Sequence, residues 1–199
     1  MFFITSILSL VLVAPGDLVI SEIMYNPDGP TLGDDDCFEW VELCNAGPST
    51  LELEGMMLSD GNNQLFIGPF NLETGSRVVL AADSEDFALA YGDDVPVAEW
   101  EGDWTKLSND GDQVILYSSS GEVLDAVTYS DTWGADPESG SRSDADGRGS
   151  SLEKVALTGP NDETNWRPSE DYGCPRNDPE DGRPVCWGTP GVRNSVEAD

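Results

Sequence analysis

Three glutamates, Glu22, Glu39 and Glu42, stand among large apolar side chains in two short segments, Ile20-Ser-Glu-Ile-Met-Tyr-Asn-Pro27 and Glu39-Trp-Val-Glu-Leu-Cys-Asn-Ala-Gly47. Paired carboxylates are the equipment of glycoside hydrolysis. The same residues can instead line the wet face of adjacent strands, or hold neighbouring loops by hydrogen bonds. Nothing in the pattern implies a pocket around them, so the architectural role is the expectation. The chain contains no histidine. That removes the usual general base near neutral pH and every Ser–His or Cys–His nucleophile pair. No Gly-x-Ser-x-Gly elbow is present either. The chain is therefore read as a non-enzyme, and a metal-dependent hydrolase built on carboxylates is the remaining enzymatic alternative.

Carboxylates also suit calcium, which prefers hard oxygen ligands. Asp34, Asp35 and Asp36 form one run, and Asp144-Ala-Asp146-Gly147 with Glu153 echoes the later half of an EF-hand loop. The first ligand position of that loop falls on Arg142, which has the wrong charge, and the flanks read as loop and strand. An EF-hand is not expected. A looser surface calcium site at Asp34, Asp35, Asp36, Asp144 and Asp146 is the one metal expectation, and no other cofactor is expected.

Four cysteines, Cys37, Cys44, Cys174 and Cys186, fit disulfides in an oxidising compartment. Cys174 and Cys186 bracket a Pro/Asp/Gly-rich loop, and closing it restrains the unfolded chain by ~3 kcal/mol. Cys37 with Cys44 is then the remaining pair. It is awkward on one straight strand, so Cys37 must fold back from the preceding loop. Cross-pairing of the two regions stays open. Zinc is disfavoured, because there is no Cys-x-x-Cys knuckle and no histidine.

The formal net charge is −30, from 39 acidic and 9 basic residues. Such a surface repels phosphate backbones and anionic headgroups, so no direct nucleic-acid binding is expected. It favours cations and basic partners. Residues 1–16 are uncharged and largely apolar, too short to span a bilayer comfortably, and end in Ala14-Pro15-Gly16. They read as a secretory signal peptide, with no transmembrane segment after it, which places the chain outside the cell or in its envelope.

These residues must be positioned by strands. The alternation of both opening segments predicts strands with one buried and one wet face. Further strands are predicted at Leu51–Ser59, Gln64–Phe70, Arg77–Ala82, Gln113–Tyr117, Val123–Tyr129 and Ser151–Leu157, with a turn at Asp60-Gly-Asn-Asn63. One helix is predicted over Ser84–Tyr91, capped by Asp83 or Ser84, with Phe87 and Tyr91 on one face. The spacing fits an all-β sandwich with Greek-key connections and one short helix. A single domain spans residues 17–194, and 195–199 read as a disordered tail. Trp100, Trp104 and Trp133 lie in loop-like acidic surroundings. They either form an exposed aromatic surface for glycan or protein contact or cap the open ends of the sandwich.

The motifs Ile20–Pro27, Glu39–Asn45, Gly55–Asp60, Arg77–Ala81, Leu107–Asp112, Gly121–Asp125 and Ser151–Glu153 resemble, in order, the successive motifs of the lamin tail domain. Trp166 and Gly188-Thr-Pro-Gly-Val-Arg-Asn194 resemble the closing motif of its secreted prokaryotic members. The similarity runs from Asp17 to Asn194. It implies an immunoglobulin-like sandwich and a non-catalytic module that binds a protein or cell-surface partner. A structural role in an envelope or matrix, with calcium-binding loops, is the alternative. Family members occur in nuclear filament proteins and beside secreted hydrolases and nucleases. Neither a flanking catalytic domain nor coiled-coil heptads are expected from this sequence.

Overall fold

The computed structural model describes residues 13–27, 32, 35–136, 138, 140–171 and 188–198. Two five-stranded antiparallel sheets face one another. The first contains β1 (Leu18–Met24), β2 (Trp40–Asn45), β7 (Arg77–Ala81), β11 (Leu152–Lys154) and β12 (Trp166–Pro168), in the order β12-β11-β1-β2-β7. The second contains β4 (Met57–Ser59), β5 (Gln64–Ile67), β8 (Trp100–Gly102), β9 (Gln113–Tyr117) and β10 (Val123–Thr128), in the order β10-β9-β4-β5-β8. A small pair, β3 (Leu51–Glu52) with β6 (Asn71–Leu72), closes one end. This is an all-β, immunoglobulin-like sandwich with one short helix.

The core lies between the sheets, where alternate residues of each strand converge. Leu18, Ile20 and Ile23 of β1, Val41 and Leu43 of β2, and Val78 and Leu80 of β7 meet Leu58, Leu65, Val114, Leu116 and Val127 of the other sheet. Val13, ahead of the expected domain start, packs against the same cluster. The predicted third strand is broken in two. Gly55, at φ +75°, turns the chain between β3 and β4, a conformation that favours glycine.

The expected wet face of β1 and β2 is not wet, for every residue of both strands is buried. Two layers cover the outer face of the first sheet. Helix α1 (Ser84–Tyr91) starts at Asp83, whose carboxylate accepts the Glu85 and Asp86 N–H groups. It lays Phe87, Ala90 and Tyr91 over Met24, Trp40, Val79 and Ala81. Trp40 meets both aromatic rings edge-on, with centroids 6.0 and 5.5 Å away. The other half of that face is polar, and the closing segment 188–198 lies on it.

Two further expectations are corrected here. Cys37 and Cys44 are not joined to one another. Cys37 ends the single 3-10 turn Asp35–Cys37, whereas Cys44 lies near the far end of the extended β2, opposite Arg77. A disulfide needs Cα atoms within about 7 Å, and a straight strand cannot bring them there. Cys174 and Cys186 lie outside the described residues. Ser195–Ala198 are not a loose tail. Ser195 Oγ and Val196 N donate to Glu153 Oε2, and Ala198 N donates to Val155 O.

Candidate functional site

The three glutamates that open the chain are anchors. Glu39 Oε2 accepts Trp104 Nε1–H at 2.7 Å and Leu107 N–H at 3.1 Å, tying the 103–107 loop to β2. Glu22 Oε1 accepts Ser151 Oγ–H at 2.5 Å and Thr189 N–H at 2.9 Å. Glu42 accepts Ser21 Oγ–H and Gly191 N–H, each at 2.6 Å. Arg77 Nε stands 3.3 Å from Glu42 without hydrogen-bond alignment, and its other end pairs with Glu197. Glu153 holds Thr189 Oγ1 as well as Ser195. Asn194 completes the fastening by donating to the carbonyls of Ser21 and Lys154. The closing motif is thus a strap held by buried carboxylates. Gly188 passes so close that a Cβ there would stand 2.7 Å from Glu22 Oε1 and 3.2 Å from the Trp40 ring.

Burial dominates the electrostatics of this cluster. It raises the Glu22 carboxyl well above the usual range, reinforced by the charges of Glu42 and Glu153. Burial also pushes Glu42 up to about 8, against the opposing pull of Ser21, the Gly191 amide and Arg77. In Glu22, Glu42 and Glu153 both side-chain oxygens already hold protein donors, which suits an architectural role.

The calcium candidates are dispersed. Asp34 lies outside the described residues, and of Asp35 only the backbone is described, in the 3-10 turn. Asp36 pairs with Lys106. Asp144 pairs with Arg148 at 3.1 Å, and Asp146 takes Arg142 at 2.6 Å and Asn26 at 2.8 Å. Glu153 faces the strap and does not join Asp144 and Asp146. Among the described residues, no group of three or more His, Cys, Asp or Glu is arranged to hold a metal ion.

The three tryptophans cap the sandwich. Trp133 is buried against Trp166, with centroids 6.3 Å apart. Trp100 and Trp104 pack on each other and on the core, and their N–H groups are committed to Ala81 O and Glu39.

The open surface lies on the second sheet. Its outer face has no covering layer among the described residues, and the strand registers line up one row across it. Val123 stands opposite Tyr117, Tyr117 opposite Met57, Met57 opposite Phe66, and Phe66 opposite Glu101. Directly opposed residues share a face, so four apolar side chains form a continuous band. Phe66 is 44% exposed and Val123 49%. The band runs into a groove of about 940 Å³ between the β5–β8 edge and the start of α1. Phe66, Pro69 and Trp100 line it together with Glu54, Asp83, Glu85, Glu99 and Glu101, and no lysine or arginine does. The sequence marked these positions only as alternate residues of separate strands. Their alignment needs the register.

A model of the Lamin Tail Domain family matches residues 13–131. The chain belongs to the lamin tail domain family. Lamin tail domains are immunoglobulin-like modules of the interaction type, in keeping with the sandwich and with glutamates spent on loops. The match covers both opening segments, the helix, and all of the second sheet. Strands β11 and β12 and the strap lie beyond it, yet they complete the first sheet of this lamin tail domain and cover it. No curated protein matches the chain. No helix among the described residues is long and apolar enough to cross a membrane.

Proposed function

We propose that this lamin tail domain is a non-catalytic docking module that receives an extended basic segment of a partner protein on the second sheet. The observation that carries this reading is the apolar row from Val123 to Phe66 running into a groove lined by five carboxylates and no cation. Apolar side chains of the segment fill the row, and its lysines or arginines meet Glu99, Glu101, Glu54, Asp83 and Glu85. Strand β8 ends its sheet, so its outer edge offers backbone groups for one more strand. Acidic residues on that short edge repel a second copy of this −30 chain while attracting a basic strand. In this reading the module works at the cell exterior or envelope, delivered by the apolar leader of residues 1–16.

The test is fluorescence anisotropy of the full chain with a short labelled peptide alternating lysine and valine, against a glutamate–valine control. The lysine peptide binds, its affinity falls as salt is raised, and Phe66→Ala and Glu101→Gln each weaken it several-fold. Equal binding of both peptides, or a lysine peptide indifferent to both substitutions, overturns the proposal.

A further inference from the structure

Lys154 is the most deeply buried of the cations in the described ion pairs. Its side chain is 2% exposed and points from β11 across the sandwich to Asp125 of β10, 11% exposed, with Nζ 3.7 Å from Oδ2. That separation is too long for a hydrogen bond, and both carboxylate oxygens are already engaged. Oδ2 accepts the Ile20 backbone N–H at 2.8 Å. Oδ1 accepts Asn161 Nδ2–H at 2.5 Å and the Ala126 N–H at 3.0 Å. The Trp166 ring, with its centroid 6.0 Å away, and the Cys44 thiol also neighbour the amine. A desolvated ammonium in such a setting is costly as a mere ion pair. It is, however, what an amine needs to become a nucleophile, since burial lowers the Lys154 proton affinity.

We propose that the Lys154 amine and the Asp125 carboxyl condense into an intramolecular amide that ties the two sheets together. Transfer of one proton from the ammonium to the carboxylate discharges both groups and yields the reactants, a neutral amine and a carboxylic acid. The nitrogen lone pair attacks Cγ, and the carbonyl electron pair moves onto oxygen. The Asn161 amide and the Ala126 N–H both donate to Oδ1, where that oxyanion develops, while Oδ2, which faces the amine and takes its proton, is the oxygen that leaves. The intermediate collapses as the C–O bond breaks, and the hydroxyl leaves with a proton from nitrogen as water. One N–C bond forms, one water departs, and no oxidant or co-reactant is consumed. The tie joins β11 to β10, which belong to opposite sheets and share no hydrogen-bonded ladder.

Intact mass spectrometry of the full chain, reduced with excess thiol and denatured, tests this. The expected mass is lighter by one water than the sequence of the purified chain requires. Trypsin then fails to cut after Lys154, and a branched peptide joins Lys154 to the peptide containing Asp125. Lys154→Arg restores the full mass. Should that variant fail to fold, the peptide map of the unaltered chain decides alone. Full mass with ordinary cleavage after Lys154 overturns the proposal, and so does a branch to Asn161 with loss of ammonia.

Discussion

Glu39 shows how much one carboxylate carries. It is buried and accepts two donors from the 103–107 loop, so Glu39→Ala leaves the Leu107 N–H and the Trp104 indole without their acceptor. An orphaned buried donor costs about 1–3 kcal/mol, and the expected loss is about 2–3 kcal/mol in urea denaturation. A loss under about 0.5 kcal/mol would show that the loop holds without it. The sequence singled out Glu22, Glu39 and Glu42 as polar intrusions into apolar strands. It also offered loop-holding as one of their roles. It could not name the donors, which lie up to 167 residues away, as Thr189 does from Glu22. Gly188 makes the same point from the other side. A Cβ there overlaps the Glu22 carboxylate, so Gly188→Ala destabilises the chain by about 1–3 kcal/mol through forced displacement of the strap. Thermal melts of Gly188→Ala, at a glycine without positive φ, read the clash, and those of Gly75→Ala, at φ +76° with no atom within 4 Å of the added Cβ, read backbone strain alone.

At the scale of elements, the strap is the unit that responds to pH. Glu22 and Glu42 are held above the ordinary carboxylate value, chiefly by burial. A raised carboxyl binds its proton more tightly folded than unfolded. Its contribution is therefore complete below the ordinary 4.5 and is lost as pH rises through the folded value, which for Glu42 is about 8. Stability falls across that window, by at most about 1.4 kcal/mol per pH unit for each group. Mutual repulsion of the acidic surface acts in the same direction, but salt screens it. The slope that survives in molar salt belongs to the buried pair, and Glu42→Gln flattens it. A slope unchanged by Glu42→Gln in high salt would assign the effect elsewhere. The strands show the limits of periodicity. Helix α1 and strand β9 match their expected bounds, because capping by Asp83 and clean alternation are local signals. Strands β6, β8 and β12 hold only two or three residues each, and their partners define them more than their own composition. Burial of β1 and β2 on both faces was illegible for a related reason: a strand's own pattern does not report the layer added by a segment far along the chain.

The whole molecule is lopsided. Among the described residues, the central strands of one sheet are buried on both faces, under α1 and the strap, and the other sheet has no covering layer on its outer face. The family motifs made the sandwich legible in advance, yet they said nothing of this asymmetry. It arises from tertiary register and from a closing segment outside the matched residues 13–131. It has a measurable consequence. Backbone groups shielded by two layers exchange only on global opening, whereas those of short, solvent-faced edge strands exchange through local fraying. Amide hydrogen exchange of the folded chain is therefore slowest in β1 and β2, at the middle of the covered sheet. It is fastest among the strands in β8, which has three residues, one hydrogen-bonded neighbour and two exposed positions. Saturating lysine–valine peptide then slows β8 selectively if an added strand pairs there, and leaves β1 and β2 as they were. Protection of β8 equal to that of β2 in the free chain would mean that its edge is already covered, which removes the docking surface from the second sheet.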